Sequence, residues 1–383
     1  GPHRLRRVAF RPLWHFDAGP LEAPGLCRLG TRWLVHGEDG LFALSRRQGR
    51  CAWQIGDTRA VWLGPRPSDG ILVATGSNLD LVTPAGATAW SVPAPRGAYG
   101  GGHYVLGRGL VIAAFDGSRV EARRAADGAR VWAFEPPGRG RSDLCGETGH
   151  LVAATAGGVL YGLDPRTGEV RWRIHSDLEA THPPLAVGPR IVLLGRSDEG
   201  PAAFLVDAAT GRSGRIVPLP VDRLGREVVV WGGRLHLPAT VSGEAALLLL
   251  RPSGTYTRLL PEGLFGVPVV WPARGRFFVS DAGGRVAALD GLGRRRWFHT
   301  LPPCELGTAP RLALSRGVLL AARDALFALS PECGEVWGRL ALPGLLAAHL
   351  LRVSDDLSFV VADEEGVVHA CRLATHLSVV TDT

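Results

Sequence analysis

Residues 157–172, GGVLYGLDPRTGEVRW, spell a strand, a tight turn and a second strand that ends in tryptophan. Val159, Leu160 and Tyr161 on one side, and Val170 and Trp172 on the other, are residue types that fit a pleated, half-buried surface. Between them, Pro165 presets one backbone angle of a turn, and Gly168 supplies the left-handed position that a tight connection needs. Asp164 and Thr167 stand where short side chains bond the exposed amides of such a turn. The passage is a β-hairpin.

The hairpin recurs. GEDGLFALSRRQGRCAW ends at Trp53, GSNLDLVTPAGATAW at Trp90 and DGSRVEARRAADGARVW at Trp132. Further on, DAGGRVAALDGLGRRRW ends at Trp297 and RDALFALSPECGEVW at Trp337. From Trp53 to Trp172 the steps are 37, 42 and 40 residues, and Trp297 to Trp337 is again 40. The 125 residues from Trp172 to Trp297 hold two weaker copies, around Gly211 and Gly254, and EEGVVHACRLATHLSVV closes the chain. A fixed period near 40 marks a repeat architecture. Each unit also holds two earlier strand-like runs, such as SDLCGET and HLVAATA in the fourth. Four short strands per unit describe an all-β propeller of four-stranded antiparallel blades. The count gives nine blades, with eight open if one weak unit is misread. Trp14, Trp53, Trp90, Trp132, Trp172, Trp297 and Trp337 are expected on the outer strands, wedged against the neighbouring blade. VAFRPLWHFDAG near the start reads as an outer strand that completes the last blade and closes the ring.

With Gly158, Leu160, Tyr161, Leu163, Asp164, Thr167, Gly168 and Trp172 in place, the unit resembles the PQQ-type propeller repeat. That family includes quinoprotein alcohol dehydrogenases, the propeller lipoprotein of the outer-membrane β-barrel assembly machinery and sensor domains of bacterial kinases. The resemblance implies one propeller over 1–383, with 1–7 a tag remnant or junction, 8–18 the closing strand and 19–383 the blades. It speaks to architecture more than to task, because one propeller serves many functions.

Composition narrows the task. The chain has 383 residues, 46% of them hydrophobic, but its longest apolar runs, such as residues 245–250, are far too short to span a bilayer. The formal charge is +7, and all 43 basic Lys/Arg positions are arginine. Methionine is absent and Asn78 is the only asparagine, the mark of a GC-rich, bacterial coding bias. The positive charge is spread along the chain. Cys27, Cys51, Cys145, Cys304, Cys333 and Cys371 form no CxxC pair, which argues against a structural zinc site and for small buried hydrophobes.

Catalytic signatures are missing: there is no GxSxG, no HExxH and no lysine for a phosphate-binding GxxxxGK. The quinoprotein resemblance implies a calcium site of Glu, Asn and Asp, a vicinal disulfide and a catalytic Asp. The chain has no adjacent cysteines, and its single asparagine falls in a turn. No enzyme activity, cofactor or metal is expected. His103, His182 and His349, with Asp143, Glu147 and Glu305, fall near inner strands. They read either as polar channel residues facing water or as a small-ligand site at the channel mouth.

One propeller face gathers the connections between blades and the turns between second and third strands. The first set carries Arg59, Arg96, Arg139 and Arg141, and the second carries Glu38, Asp39, Asp116, Asp198, Glu199, Asp281, Asp324, Asp363 and Glu364. A mixed charged rim suits a protein better than a nucleic acid, which wants a basic stripe. The expected role is a non-catalytic scaffold or sensor, a monomeric propeller that binds a protein or peptide partner on this face. Two alternatives stay open: an arginine-mediated binder of an anionic ligand (lipid headgroup or nucleic acid), and a degenerate quinoprotein enzyme. The family resemblance leans towards the periplasm or cell envelope.

Overall fold

The computed structural model describes residues 7–376 apart from 57, 64–69, 76–77, 94–102, 107–108, 115–118, 138–141, 148–149, 156, 213 and 355–357. Several described strand residues, among them Arg59, His103 and Glu147, are described by backbone alone.

The described residues form nine antiparallel sheets and no helix. Eight blades follow in chain order: residues 21–55, 58–93, 103–134, 142–175, 179–218, 223–259, 269–300 and 311–341. The ninth takes Leu350–Val353, Ser358–Ala362 and Val367–His376, and its outer strand is Arg7–Asp17 from the opposite end of the chain. His15 lies opposite His369 and Asp17 opposite Val367 in that closing pair. The nine-unit count and the closing strand therefore both stand. Closure leaves no gap in the circle of blades, and with it no free edge between first and last.

First strands touch one another around an axis. Val269–Ala273 meets Arg311–Ser315, which meets Leu350–Val353, which in turn meets Leu21–Leu29. The axis is thus lined by first strands, and fourth strands lie outermost. Middle strands are covered on both faces by neighbouring blades, so they do not alternate. Val318–Ala322 and Ala325–Leu329 are buried at every residue. The core consequently lies in the seams. Leu194, Leu205, Leu237 and Leu248, for example, interlock blades 5 and 6.

The tryptophans sit in these seams. Trp132 donates its indole N–H to the Pro165 carbonyl of the next blade at 3.2 Å, and Trp172 to Ala208 at 3.2 Å. Trp53 reaches Pro84 (3.3 Å), Trp90 Ala125 (2.9 Å) and Trp297 Pro331 (3.0 Å). Trp14, on the closing strand, makes the same bond to Arg46 of blade 1 at 2.9 Å. Trp337 is half-buried in the seam between blades 8 and 9. Each ring that bonds a turn also faces its glycine. A Cβ on Gly168 would stand 2.6 Å from the Trp132 indole, and one on Gly211 2.5 Å from Trp172. Gly168 has φ +74°, as the hairpin requires.

Asp164 completes that turn. Its Oδ1 accepts from the Arg166 amide at 2.8 Å, and Arg171 also bonds it. The amide of Arg166 foremost, then the Arg171 guanidinium, hold this carboxyl below its ordinary range.

Blades 5 and 6 depart from the formula in two ways. Elsewhere the pairing of third and fourth strands slips by one residue beside the tryptophan, as between Gly162 and Leu163. In blades 5 and 6, where Ile216 and Arg258 stand on the outer strand, it runs without a slip. Their first strands are also split, into Glu179–Ala180 with Leu185–Val187 and Arg223–Leu224 with Val229–Trp231. Pro183 and Pro184, which lack amide hydrogens, occupy one gap.

Two sequence expectations change. Asn78 begins a strand, Asn78–Val82, rather than lying in a turn, because its amide is bonded by the Thr75 hydroxyl at the hairpin entrance. Cys51 and Cys333 are exposed rather than buried, because the outer strand and the outer turn that carry them have no blade beyond them.

Candidate functional site

Antiparallel order sends the connections between blades, and the turns between second and third strands, to one end of the axis. Over blades 6 to 9 that end encloses a cavity of about 610 Å³.

Three successive inter-blade loops build its rim, and they share a pattern. Leu260-Pro261 leads to Phe265, Leu301-Pro302 to Leu306, and Leu342-Pro343 to Leu346. Phe265, Leu306 and Leu346 are 49%, 59% and 56% exposed, although they are large and apolar. The loops that carry them are tightly held. Buried Asp281 accepts the Arg285 amide of its own turn at 3.1 Å and the Phe265 amide at 2.9 Å. Asp363 repeats the arrangement, accepting from Val367 at 3.0 Å and from Leu346 at 3.2 Å.

Blade 8 reaches the same end by the opposite charge. At the position of these aspartates stands Arg323, 2% exposed. It donates to the carbonyls of Thr308 (2.9 Å), Pro302 (3.0 Å) and Ala282 (2.9 Å). Three carbonyls replace the water that a buried guanidinium loses. All three apolar tips are thus displayed by loops fixed from beneath.

Val267, Val269, Ala309 and Ala347 give the cavity apolar walls. Charges stand at opposite sides. Arg311, on the first strand of blade 8, bonds both carboxylate oxygens of Glu227 from blade 6, at 2.5 and 2.6 Å. His349 Nδ1 lies 3.2 Å from Glu364. Thr308 Oγ1 and Arg311 Nε are shielded from solvent and have no hydrogen-bond partner among the described residues. Both residues line the cavity. A shielded group of this kind gains by meeting a ligand atom.

The sequence-predicted residues divide between this cavity and other places. His349, Asp363 and Glu364 line it, and exposed Glu305 precedes Leu306 on its rim. His182 bonds the carbonyl of Gly225, a lining residue, at 2.9 Å and so serves the backbone. Asp143 is half-buried on the first strand of blade 4 and forms no part of the wall. His103 begins the first strand of blade 3, its side chain not described, and Arg96, Arg139, Arg141 and Asp116 lie outside the described residues. Arg226, Glu227, Arg311 and Arg323 escaped sequence reasoning. Arg226, Glu227 and Arg311 lie outside the recurring hairpin, Arg323 opens its blade 8 copy as an ordinary turn charge, and only the curvature of the ring brings Glu227 of blade 6 to Arg311 of blade 8.

The chemistry of the donors does not fit the quinone and calcium pair of the dehydrogenases. Asn78 sits on a third strand in blade 2, and the six cysteines are free. Among the described residues no three of His, Cys, Asp and Glu converge. Burial pushes the Cys27 and Cys371 thiols up to about 12, so neither is a nucleophile near neutral pH.

Comparison with known proteins agrees with the propeller fold. A family model described as outer membrane protein assembly factor BamB matches residues 75–227. The PQQ-type resemblance holds. Among curated proteins, polyvinylalcohol dehydrogenase of Sphingopyxis sp. (strain 113P3) is 27% identical over 146 residues. The match covers 34% of this chain and only 22% of that protein. Among solved structures, BamB from Moraxella catarrhalis superposes with a TM-score of 0.58 at 14% identity, covering 95% of this chain and 100% of its own. Quinohemoprotein alcohol dehydrogenase from Comamonas testosteroni gives 0.52 at 15% identity, covering 96% and 77%. At such identities the structures share a fold, and function has to be argued from the site. No helix among the described residues is long and apolar enough to cross a membrane.

Proposed function

We propose that the chain is a non-catalytic interaction scaffold that binds a protein or peptide partner on the loop face of blades 6 to 9. The observation that carries this reading is the fixed display of Leu306 and Leu346 on the wall of one cavity, with Phe265 exposed on the preceding loop. Apolar side chains held out on rigid supports lose little conformational freedom on binding, so most of their burial energy goes into affinity. Arg226, Glu227, Glu364 and Glu365 around them supply the polar rim of a protein interface. The likeness to an assembly factor supports a protein partner, and the resemblance to kinase sensor propellers supports the same mode.

Affinity capture with the wild-type chain and with a Leu306→Glu/Leu346→Glu variant tests the reading. A defined protein held by the wild type at moderate salt and absent from the variant is the expected result. Identical captures from both would overturn it.

A second reading, a quinoprotein-type oxidoreductase, is favoured by the dehydrogenase relatives. It predicts dye reduction with an alcohol after incubation with pyrroloquinoline quinone and calcium. Absence of turnover under those conditions would remove it.

A further inference from the structure

The two ends of the propeller differ in charge. At the loop face, turns between second and third strands carry Glu38, Asp39, Asp198, Glu199, Glu364 and Glu365, all exposed. At the other end, the channel mouth is ringed by turns between first and second strands. Blade 1 places Arg28 and Arg32 there, blade 5 Arg190, blade 6 Arg234, blade 7 Arg274 and Arg276, blade 8 Arg316 and blade 9 Arg352. Among the described residues the one carboxylate on these turns is Glu147, opposite His150 in blade 4; Asp355 and Asp356, which follow Arg352 in the sequence, lie outside the described residues. The neighbouring outer turns add exposed Arg47, Arg166 and Arg212.

Most carboxylates of the outer turns are already committed. Asp164 holds its own turn and Arg171, Asp290 bonds Arg294, and Glu332 pairs with Arg276. No ion pair is made by Arg47, Arg212, Arg234 or Arg274 with any described carboxylate.

Large apolar residues stand out at the same end. Trp231 is 40% exposed and Val230 46%, both at the tip of the blade 6 first strand. Leu292, on the outer turn of blade 7, is 72% exposed. Trp231 packs edge-on against His236, its ring 6.0 Å away, so the indole is anchored while still open to solvent.

We propose that this arginine-ringed face docks on an anionic lipid bilayer. Guanidinium groups bind phosphate in two-pronged fashion, and several basic groups at one surface are drawn to acidic headgroups. An indole suits the interface between headgroups and chains, and an exposed leucine inserts beneath it. A nucleic acid fits less well. The arginines form a ring on the end of a disc and not a stripe or groove, and Leu292 has no flat face on which to stack a base. The carboxylates of the opposite end, repelled by the same surface, turn the loop face with its cavity outward. Lipid and partner would thus be bound at opposite ends of one axis.

The test is co-sedimentation of the whole chain with vesicles of phosphatidylcholine alone and of phosphatidylcholine mixed with phosphatidylglycerol, at rising salt. Binding to the mixed vesicles, lost as salt rises and absent with phosphatidylcholine, is expected. An Arg212→Glu/Arg234→Glu/Arg274→Glu variant should lose affinity by about a hundredfold or more, about fivefold for each charge removed and further for each charge reversed. Trp231→Ala with Leu292→Ala should weaken binding while leaving its salt dependence unchanged. These side chains are solvent-facing, so unfolding profiles report whether each variant remains native. No binding to mixed vesicles, equal binding to both kinds, or an undiminished triple variant would overturn the proposal. So would tight capture of duplex DNA by a chain that ignores vesicles.

Discussion

Trp132 and Gly168 are complementary across the seam between blades 3 and 4. The indole lies where a Cβ on the glycine would stand, 2.6 Å from its ring atoms, while its N–H bonds Pro165 in the same turn at 3.2 Å. The glycine therefore serves two neighbours at once, giving its own turn a left-handed angle and the preceding blade a flat surface.

Gly168→Ala should accordingly cost more than either role alone, about 2–4 kcal/mol. Gly188→Ala provides the comparison. That residue also has positive φ, +57°, but nothing lies within 4 Å of the added methyl. Its cost should be about 1 kcal/mol, the conformational part alone. Urea unfolding of both variants checks the difference, and equal losses would show that the seam yields easily.

Arg323→Met should destabilise by about 3 kcal/mol or more, because three carbonyls around a buried position lose their donor together. Arg323→Lys keeps the charge but cannot reach all three in one plane, and should lie between. Hydrogen exchange offers the sharper measurement. Faster exchange in residues 301–310, with blades 1 to 4 unchanged, is the expected pattern.

Acid should weaken the fold through two histidines. His236 is fully buried among Trp231 and Phe277, and burial holds its pKa below the ordinary 6.5. His369 is lowered in the same way, first by burial and then by His15 opposite it in the closing pair, against smaller opposing pulls from the Pro343 carbonyl and then Asp363. Depressed folded values mean that the unfolded chain takes up protons first. The stabilisation is present above pH 6.5 and is lost as pH falls from there towards the folded values. Melting temperature should decline across that window, and His236→Leu should flatten the decline. A slope unaltered by both His236→Leu and His369→Gln would assign it to other groups.

Thiol labelling should separate the cysteines by location. Exposed Cys51 and Cys333 should react first with a disulfide reagent, whereas Cys27 and Cys371 should stay silent until the chain unfolds. Early labelling of Cys371 would indicate that the closing blade opens in the native state.

The fold was legible because its strongest local demand repeats. Each complete unit needs a glycine that a tryptophan can face, and both residues are conspicuous in sequence. Blades 5 and 6 lack that outer tryptophan and were placed by the length of chain between Trp172 and Trp297 together with weak hairpin copies around Gly211 and Gly254. The place of the loop-face carboxylates was also legible, since turns between second and third strands occur at a fixed place in the repeat, but Asp281 and Asp363, expected on the charged rim, are buried under the loops and hold their amides. The cavity was not. Arg311 and Glu227 are 84 residues apart, and nothing near either one refers to the other. Arg323 was hidden for a different reason: an arginine in a turn reads as a solvated charge, whereas three backbone carbonyls make it an internal strut.

The shared ninth blade also bears on how the protein is made. Arg7–Asp17 is made before the eight blades that follow it, whereas its partner Val367–His376 comes after all of them. Until that partner emerges the closing strand has no sheet to join, and the eight intervening blades form an open arc with an unsealed edge. Closure of the propeller is therefore a single late event, and any chaperone that guards it has a defined object to hold: eleven residues awaiting their partner strand.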